Sequence, residues 1–251
     1  MKKSIISIAL LTLSTTTMAA DWQGSSLSLL SGDDFAVGSD TSRTEITYEN
    51  ALGFGFGDSF FFLDVTNPYK KANSNYTTEM YGEWHPRFSI GKQFGLIKGD
   101  GLIKDVLFAN TFEFGNNAFA QHRANLHGIG IDFNLPYFSF FQWNIYVRDN
   151  LDRQGTSLQS TFAYLLPFKV GGLDFVWNAY VDIVHNDEGE EGTETIAHRH
   201  TGQQLKLDVG ALWAKPGKLY AGFEYQVWDN KFGIRDGDSE KNLKYMMQWQ
   251  F

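Results

Sequence analysis

The stretch Leu243–Phe251, LKYMMQWQF, alternates strictly between two kinds of side chain. One face holds Leu243, Tyr245, Met247, Trp249 and Phe251, and the other holds Lys244, Met246, Gln248 and Gln250. A period of two residues is that of a β-strand, in which successive side chains point to opposite faces. Because one face is apolar and the other mostly polar, the stretch predicts a strand that separates an apolar from an aqueous environment.

A closing strand of this kind is typical of bacterial outer-membrane β-barrels, in which aromatic residues line both membrane interfaces. The same alternation recurs about twelve times, over 24–31, 43–52, 58–66, 76–89, 103–114, 123–135, 138–150, 156–167, 172–184, 202–213, 217–229 and 241–251. About ten residues at ~3.3 Å each, tilted by ~40°, rise about 25 Å, which suits a bilayer. We therefore expect an all-β fold, a transmembrane antiparallel up-and-down β-barrel of about 12 strands. The main alternative is a soluble β-sandwich, which would not need aromatic residues near both ends of many strands.

The connections between these strands alternate in length. The short ones are Gly53–Gly57, Pro136–Tyr137, Phe168–Gly171 and Ala214–Pro216, and the long, polar ones are Ser31–Ser42, Asn67–Asn75, Gly115–His122, His185–Thr201 and Asp229–Glu240. Short turns on one side and long loops on the other place both termini in the periplasm. Ile90–Leu102 is the exception, because it is a long connection on the side of the short turns.

The N-terminal segment predicts export. Lys2 and Lys3 precede an apolar run from Ile5 to Leu13, and small residues end at Ala20. This pattern indicates a signal peptide over 1–20. A membrane anchor is the alternative, but the run is too short to span a bilayer. We expect residues 21–251 to form a single outer-membrane β-barrel domain, exported to the bacterial outer membrane.

Composition excludes several other classes. The chain has 25 glycines, 22 phenylalanines and no cysteine, and its formal net charge is −8. A chain without cysteine has no disulfide framework, and an acidic chain has no basic surface for nucleic acid. No cofactor is expected.

The face opposite the apolar one should line the lumen. Its acidic residues are Glu45, Glu49, Glu79, Glu83, Glu113, Asp132, Asp174, Asp182, Asp208 and Glu224. Its basic residues are His85, Arg87, Arg148, Lys206 and Lys244, and its aromatic residues are Tyr81, Tyr146, Tyr180, Tyr220 and Trp228. Inward tyrosine and tryptophan suit a solute that is planar on one side and hydroxylated on the other. The tyrosines could equally be fillers that rigidify a small barrel.

Two further interpretations concern charged groups. We expect Glu79, Glu83, His85 and Arg87 to form ion pairs with Arg148 or Lys206 across the lumen. The loop His185–Thr201 contains His198-Arg199-His200 and several carboxylates, which could hold a metal ion but which we expect to be a solvated loop. No nucleophile motif such as G-x-S-x-G is present, so we expect no enzyme.

Four short strings resemble one known family. They are Glu83–Ile90 (EWHPRFSI), Phe108–Asn110 (FAN), Gly128–Asp132 (GIGID) and Tyr225–Asp229 (YQVWD). Together, and in this order along the chain, they resemble the nucleoside-specific channel-forming porin family of the Tsx and OmpK type. The family resemblance implies a narrow twelve-stranded barrel, which agrees with the strand count obtained independently.

The resemblance also implies passive diffusion of nucleosides or similar small neutral solutes through an aromatic- and acid-lined lumen. The residues expected to bind the solute are Phe35, Tyr81, Glu83, Tyr146, Arg148, Tyr180 and Trp228. The expected partners are outer-membrane lipid and lipopolysaccharide, a nucleoside-like solute and, through the outer loops, a bacteriophage, with no nucleic acid and with a monomeric barrel. In the nucleoside-transporting type an arginine follows the aromatic residue of the first outer loop, whereas here Ala36 follows Phe35.

The alternative function is a closed or poorly selective barrel that acts as a phage receptor or adhesin. The two functions differ in whether the inward side chains leave a path through the barrel.

Overall fold

The computed structural model describes residues 20–36, 42–69, 78–116, 121–152, 155–185, 196–233 and 239–251. Over these residues, each strand pairs antiparallel with its neighbours in sequence, and β1 pairs with β12 to close a barrel. The strands are β1 (Trp22–Gly32), β2 (Arg43–Phe54), β3 (Gly57–Thr66), β4 (Glu79–Ser89), β5 (Ile103–Asn116), β6 (Gln121–Phe133), β7 (Phe140–Asn150), β8 (Thr156–Val170), β9 (Leu173–Val184), β10 (His198–Asp208), β11 (Leu219–Asp229) and β12 (Glu240–Gln250). The predicted twelve-stranded up-and-down β-barrel is confirmed.

The two faces of each strand are those that the alternation predicts. In β12, Tyr245 and Trp249 are 70% and 57% exposed on the outer surface, whereas Lys244 and Gln248 are 4% and 2% exposed inside the barrel. A soluble β-protein has the opposite arrangement, with its apolar side chains inside. An apolar exterior around a polar interior fits a barrel surrounded by hydrocarbon, because closure leaves no unpaired strand edge. No helix in the described parts of the chain has the length and apolar character needed to cross a membrane.

The end of the barrel that carries the chain termini and the short turns is called the periplasmic end, and the opposite end the extracellular mouth. The turn Gly171–Gly172 at the periplasmic end has φ of 56° and 83°, a conformation that favours glycine. Residues 1–19 lie outside the described residues, so the signal peptide stays a prediction.

The strand predicted over 202–213 extends too far. Strand β10 ends at Asp208, and Gly210–Trp213 form a short 3₁₀ helix. The Asp208 carboxylate accepts hydrogen bonds from the backbone N–H groups of Ala211 (3.0 Å) and Gly217 (2.6 Å). These bonds turn the chain away from the sheet, so the apolar alternation that continues to Trp213 does not form a strand.

The long connection Ile90–Leu102 lies at the periplasmic end, as the sequence predicts. The Gln93 side chain donates to the carbonyl of Gly55 (2.9 Å), in the turn between β2 and β3. On the other side, the Asn134 amide donates to the carbonyls of Gly99 (2.9 Å) and Gly101 (2.7 Å). The segment is therefore hydrogen-bonded to turns on both sides of it.

Candidate functional site

The inward side chains differ in burial around the barrel. Those of β5, β7, β12 and β1 are mostly buried, those of β2–β4, β8, β9 and β11 are mostly half-buried, and those of β6 and β10 are evenly divided. In the closed order of strands, β3 is six strands from β9 and therefore faces it. Two half-buried arcs thus face each other across the lumen, and two packed arcs lie between them. The candidate solute site lies between the half-buried arcs.

One half-buried arc carries an aromatic cluster on neighbouring strands β3 and β4. We call Phe60, Phe62, Tyr81 and His85 the β3–β4 aromatic cluster. The Phe62 ring lies 5.9 Å from the Tyr81 ring and 6.3 Å from the His85 ring, and the Phe60 ring lies 5.6 Å from the His85 ring. These centroid distances are those of interacting aromatic pairs. The cluster is a continuous strip of aromatic rings on the inner surface.

A second cluster starts on the opposite arc and continues toward the extracellular mouth. We call Tyr180, His200, Trp228 and Phe232 the β9–β11 aromatic cluster, with Phe232 in the short turn after β11. The rings of His200 and Trp228 are stacked at 4.1 Å and 19°, and the Tyr180 ring contacts His200 edge-on at 5.1 Å. The Phe232 ring lies 4.6 Å from Trp228.

Hydrogen bonds fix the His200 ring within this cluster. Its Nε2 lies 3.0 Å from the Tyr180 hydroxyl and 2.7 Å from the Gln226 side-chain nitrogen. An amide nitrogen can only donate, so Nε2 accepts and Nδ1 carries the proton. Gly202 makes room beside this group, because a Cβ there would lie 2.6 Å from Cε1 of Tyr180. A glycine on β10 therefore allows Tyr180 to lie flat along the inner surface.

Two polar atoms near the second cluster lack partners within the described ranges. They are Nε1 of Trp228, a donor, and Oδ1 of Asn178, an acceptor two residues before Tyr180. Buried polar atoms are normally hydrogen-bonded to protein, water or ligand. This donor and this acceptor are therefore exceptions in a surface that is otherwise hydrogen-bonded.

At the extracellular mouth, the segment after β1 turns inward. Phe35 is 6% exposed, and the Arg43 guanidinium lies 4.7 Å from the centroid of its ring. The backbone N–H of Ala36 donates to a carboxylate oxygen of Glu240 (2.8 Å). The same oxygen of Glu240 accepts from the Lys231 ammonium (2.7 Å), which lies 4.8 Å from the Trp228 ring centroid. Burial lowers the pKa of Lys231, and the Glu240 carboxylate opposes that shift.

Arg43 on β2 stacks on the Phe35 ring. Where the family pattern has an arginine directly after the aromatic residue, this chain has Ala36, but β2 supplies a guanidinium to the Phe35 ring. The Arg43 side chain also lies 3.5 Å from Glu79 on β4. An arginine stacked on an aromatic ring is therefore present at the mouth, although it comes from another strand.

The predicted ion pairs across the lumen are wrong. Arg87 binds Asp58 (2.6 Å) and Asp132 (2.8 Å), and Arg148 binds Glu113. Glu79 lies beside Arg43, and the Lys206 ammonium donates to Gln204 and Gln248. Each cation bonds to side chains on its own strand or on strands up to three places away, because these are nearer than the opposite side of the barrel. Buried ion pairs of this kind compensate the charges inside the barrel wall.

Several carboxylates on the half-buried arcs have no lysine or arginine within ion-pairing distance in the described part of the chain, among them Asp64, Glu83 and Asp182. Asp64 accepts from Thr47 (2.6 Å), Glu83 from the Tyr81 hydroxyl (2.6 Å), and Asp182 from Thr161 (2.6 Å). Glu83 also lies 3.0 Å from Nε2 of His85. The half-buried surface of the lumen is consequently electronegative.

The structure divides the predicted solute-binding residues into three groups. Tyr81, Glu83, Tyr180 and Trp228 are half-buried and belong to or adjoin the two aromatic clusters, and Phe35 lies at the mouth. Tyr146 and Arg148 are only 2% and 6% exposed. The Tyr146 hydroxyl lies 3.4 Å from Thr111, within a packed arc. This position favours the filler interpretation for Tyr146.

Four residues of the site were missed from the sequence. Phe60 and Phe62 belong to the run Phe60-Phe61-Phe62, in which no alternation is visible, although Asp58 and Asp64 at even spacing mark the inward face. Arg43 precedes the predicted lumen residues of β2. The sequence predicts that His200 lies in the loop His185–Thr201. That prediction is wrong, because β10 begins at His198 and contains His200.

A metal site in that loop is not supported by the described residues. No group of three or more metal-binding side chains lies together among them. The carboxylates of 187–191 lie outside the described residues, and His200 takes part in the β9–β11 aromatic cluster instead.

Comparison with known proteins identifies the family. The profile of the family described as "nucleoside-specific channel-forming protein, Tsx" matches residues 20–250. A search of curated proteins finds no match. Among solved structures, the NanC porin shares 11% identity at a TM-score of 0.51, covering 89% of this chain and 98% of its own. The KdgM porin shares 8% identity at a TM-score of 0.46, covering 90% of this chain and 99% of its own.

The likeness to NanC shows the barrel fold, and the family profile covers nearly the whole chain. The family profile points to a transporter rather than an enzyme. The chain belongs to the nucleoside-specific channel-forming family, and it is an outer-membrane channel for small solutes.

Proposed function

We propose that the channel is selective for nucleosides and close analogues, which diffuse passively between the two half-buried arcs. The observation that carries this proposal is the pair of aromatic clusters on those arcs, each next to hydrogen-bonding groups. A planar base can stack on either cluster, while its sugar hydroxyls reach carboxylates such as Glu83 or amides such as Gln226. Phe35 and Arg43 at the mouth would make the first contact.

The energetics suit a channel. Stacking of a base on an aromatic side chain contributes ~1–3 kcal/mol, so two contacts give at most ~6 kcal/mol before entropy losses. Such energies correspond to affinities in the micromolar-to-millimolar range. A solute held this weakly can enter the pore and also leave it.

The charges of the lumen favour the passage of neutral solutes over that of anionic ones. Asp64, Glu83 and Asp182 face the path without lysine or arginine partners, whereas Arg87, Arg148 and Lys244 are buried and bonded to carboxylates. A cleft lined by one sign of charge attracts the opposite charge and repels its own. Nucleotides, which carry phosphate charges, should therefore pass more slowly than the corresponding nucleosides.

Liposome swelling tests this proposal directly. Proteoliposomes should swell faster with adenosine or thymidine than with a sugar of similar size, and liposomes without protein should not swell. Equal rates for all solutes would remove the claim of selectivity. A complete lack of swelling with correctly folded protein would favour the phage-receptor or adhesin alternative.

Three further parts of the proposal come from the sequence. They are export by a signal peptide over 1–20, contact of the outer surface with lipopolysaccharide, and phage attachment to the long loops. Edman sequencing of the mature protein, with Asp21 expected first, checks the export step.

A further inference from the structure

Trp22 lies on the inner face of the barrel at its periplasmic end. It is the first residue of β1, at an even spacing from Ser26 and Ser28, whose side chains are buried inside the barrel. Alternate residues of a strand point to the same face. Its register partner on β2 is Gly53, which lies next to the short turn that leads to β3. Because Trp22 is 56% exposed, its indole borders the periplasmic opening of the lumen.

Gly53 allows the indole to lie flat on the barrel wall. A Cβ at this position would overlap three consecutive atoms of the five-membered ring of Trp22, namely Cδ1, Nε1 and Cε2. Since all three atoms lie close to that point, the ring meets Gly53 with its face rather than its edge. The backbone N–H of Asp21 donates to the carbonyl of Gly53 (2.8 Å), which fixes the start of β1 against β2. One face of the indole therefore covers the wall, and the other is turned to the opening.

Trp22 extends the β3–β4 aromatic cluster toward the periplasm. Gly53 pairs with Asp58 on β3, and Phe60, two residues further along the same face of β3, pairs with Ala51. The indole lies over Gly53, so it is one inward position closer to the periplasm than Phe60. The small residues Gly53 and Ala51 leave the inner surface of β2 open to rings from both neighbouring strands. The aromatic surface thus continues from the cluster to the end of the barrel.

Asp58 provides a hydrogen-bond acceptor beside the indole. Its half-buried carboxylate accepts from Nε (2.8 Å) and Nη2 (2.6 Å) of Arg87. A carboxylate has about four acceptor positions, so Asp58 can also accept from a hydroxyl group. A flat aromatic face next to a carboxylate suits a planar base that carries a hydroxylated sugar, and Tyr81 and Glu83 form the same combination further inside the lumen.

We propose that Trp22, Gly53 and Asp58 form a release site for nucleosides at the periplasmic end of the channel. The inference rests on the proposed function and adds a stacking surface beyond the two aromatic clusters. A base that leaves the β3–β4 aromatic cluster stacks on the free face of the indole before it enters the periplasm. Passage through a pore requires several weak sites rather than one strong site. Anchoring in the membrane interface does not explain Trp22, because the residues of an aromatic girdle face outward, as Trp249 does.

Block of single-channel current from each side of a planar bilayer tests the release site. With adenosine on the periplasmic side of channels of one known orientation, Trp22→Ala should lower the association rate about 5- to 20-fold, because the first stacking surface is lost. With adenosine on the extracellular side, the rate should stay within about twofold, since this solute first meets Phe35 and Arg43. Trp249→Ala is the matched control, because Trp249 is 57% exposed near the same end but faces lipid. It should change neither rate.

A second pair of variants keeps the indole but changes the wall beneath it. Gly53→Ala places a methyl group where the Trp22 ring lies, so the periplasmic association rate should fall about as far as in Trp22→Ala. Gly24→Ala is the control, since Gly24 is on the same inner face of β1 and an added Cβ meets no atom within 4 Å among the described residues. Ion conductance close to that of the unmodified channel shows that each variant forms a folded barrel.

The possible outcomes separate the release site from the proposed function. Unchanged periplasmic association in both Trp22→Ala and Gly53→Ala would overturn the release site and leave the proposed function standing. An equal loss from both sides would also overturn it, because Trp22 would then act on the barrel as a whole. Absence of block from either side in the unmodified channel would overturn the proposed function and the release site together.

Discussion

The Arg43 guanidinium lies over the Phe35 ring at 4.7 Å, joining the start of β2 to the segment that follows β1. Cation–π contacts contribute about 0.5–2 kcal/mol. The contact holds an aromatic face and a fixed charge together where a solute would enter.

We expect Arg43→Gln to weaken nucleoside block of single-channel current by about 3- to 10-fold, because the ring loses its cation and the solute loses a charged donor. Titration of the blocked fraction against thymidine concentration measures the effect. Arg199→Gln is the control, since Arg199 is exposed on the outer face and binds Asp229. Equal effects of the two substitutions would show that Arg43 acts only through general charge.

Trp228→Ala should weaken nucleoside block by about 10- to 100-fold, since a stacking contact contributes ~1–3 kcal/mol. Ion conductance should stay similar or rise, because a large side chain leaves the lumen. The control is Tyr225→Ala, which removes an outward aromatic residue from the same strand. Block that survives in Trp228→Ala would exclude the β9–β11 aromatic cluster as the site.

Tyr146 should behave differently from Trp228. Because its ring is buried in a packed arc and its hydroxyl lies beside Thr111, Tyr146→Phe should leave nucleoside block within about twofold of the unmodified channel. The same blocking titration measures this. A loss comparable to that of Trp228→Ala would restore Tyr146 as a direct solute contact.

The unpaired lumen carboxylates predict a cation-selective ion current. Two charges about 4 Å apart in water interact by about 1 kcal/mol, so Glu83→Gln should reduce the permeability ratio of potassium to chloride by up to about fivefold. The reversal potential in a potassium chloride gradient gives this ratio. Asp152→Asn removes a carboxylate outside the strands and should change the ratio little. An anion-selective unmodified channel would contradict the assignment of these groups to the path.

The buried pair Arg148–Glu113 predicts a stability effect. Arg148→Met leaves Glu113 buried without its main cation and should cost about 3–5 kcal/mol in the free energy of unfolding. The double variant with Glu113→Leu should recover most of this loss. Urea unfolding of the barrel in vesicles measures both. A double variant as unstable as the single one would show that packing, rather than charge, dominates there.

Much of the fold follows from the sequence because the period of a strand is two. Once Lys244 and Gln248 are placed inside, the alternation also fixes Tyr245 and Trp249 outside, and the same holds for most strands. The alternation fails where neighbouring residues are alike, as in Phe60-Phe61-Phe62, and where a hydrogen bond ends a strand early, as at Asp208.

The site was predicted less completely because it depends on which strands are neighbours. Arg87 meets Asp58 and Asp132 within its own side of the barrel, and the sequence alone suggests no such partners. Phe35 and Arg43 are brought together by the inward turn of the segment after β1. His200 lies in the string His198-Arg199-His200, whose polar character is typical of a surface loop. Only the structure shows that β10 begins there.

The packing of two opposite arcs has a consequence for the shape of the passage. Side chains fill the barrel from two sides only, so the remaining space is wider in one direction than in the other. A flat molecule can travel through such an opening with its plane along the wide direction, from one aromatic arc to the other, whereas a compact molecule of equal mass meets the narrow dimension whichever way it turns. The channel would therefore sort solutes by thickness and orientation, in addition to their overall size.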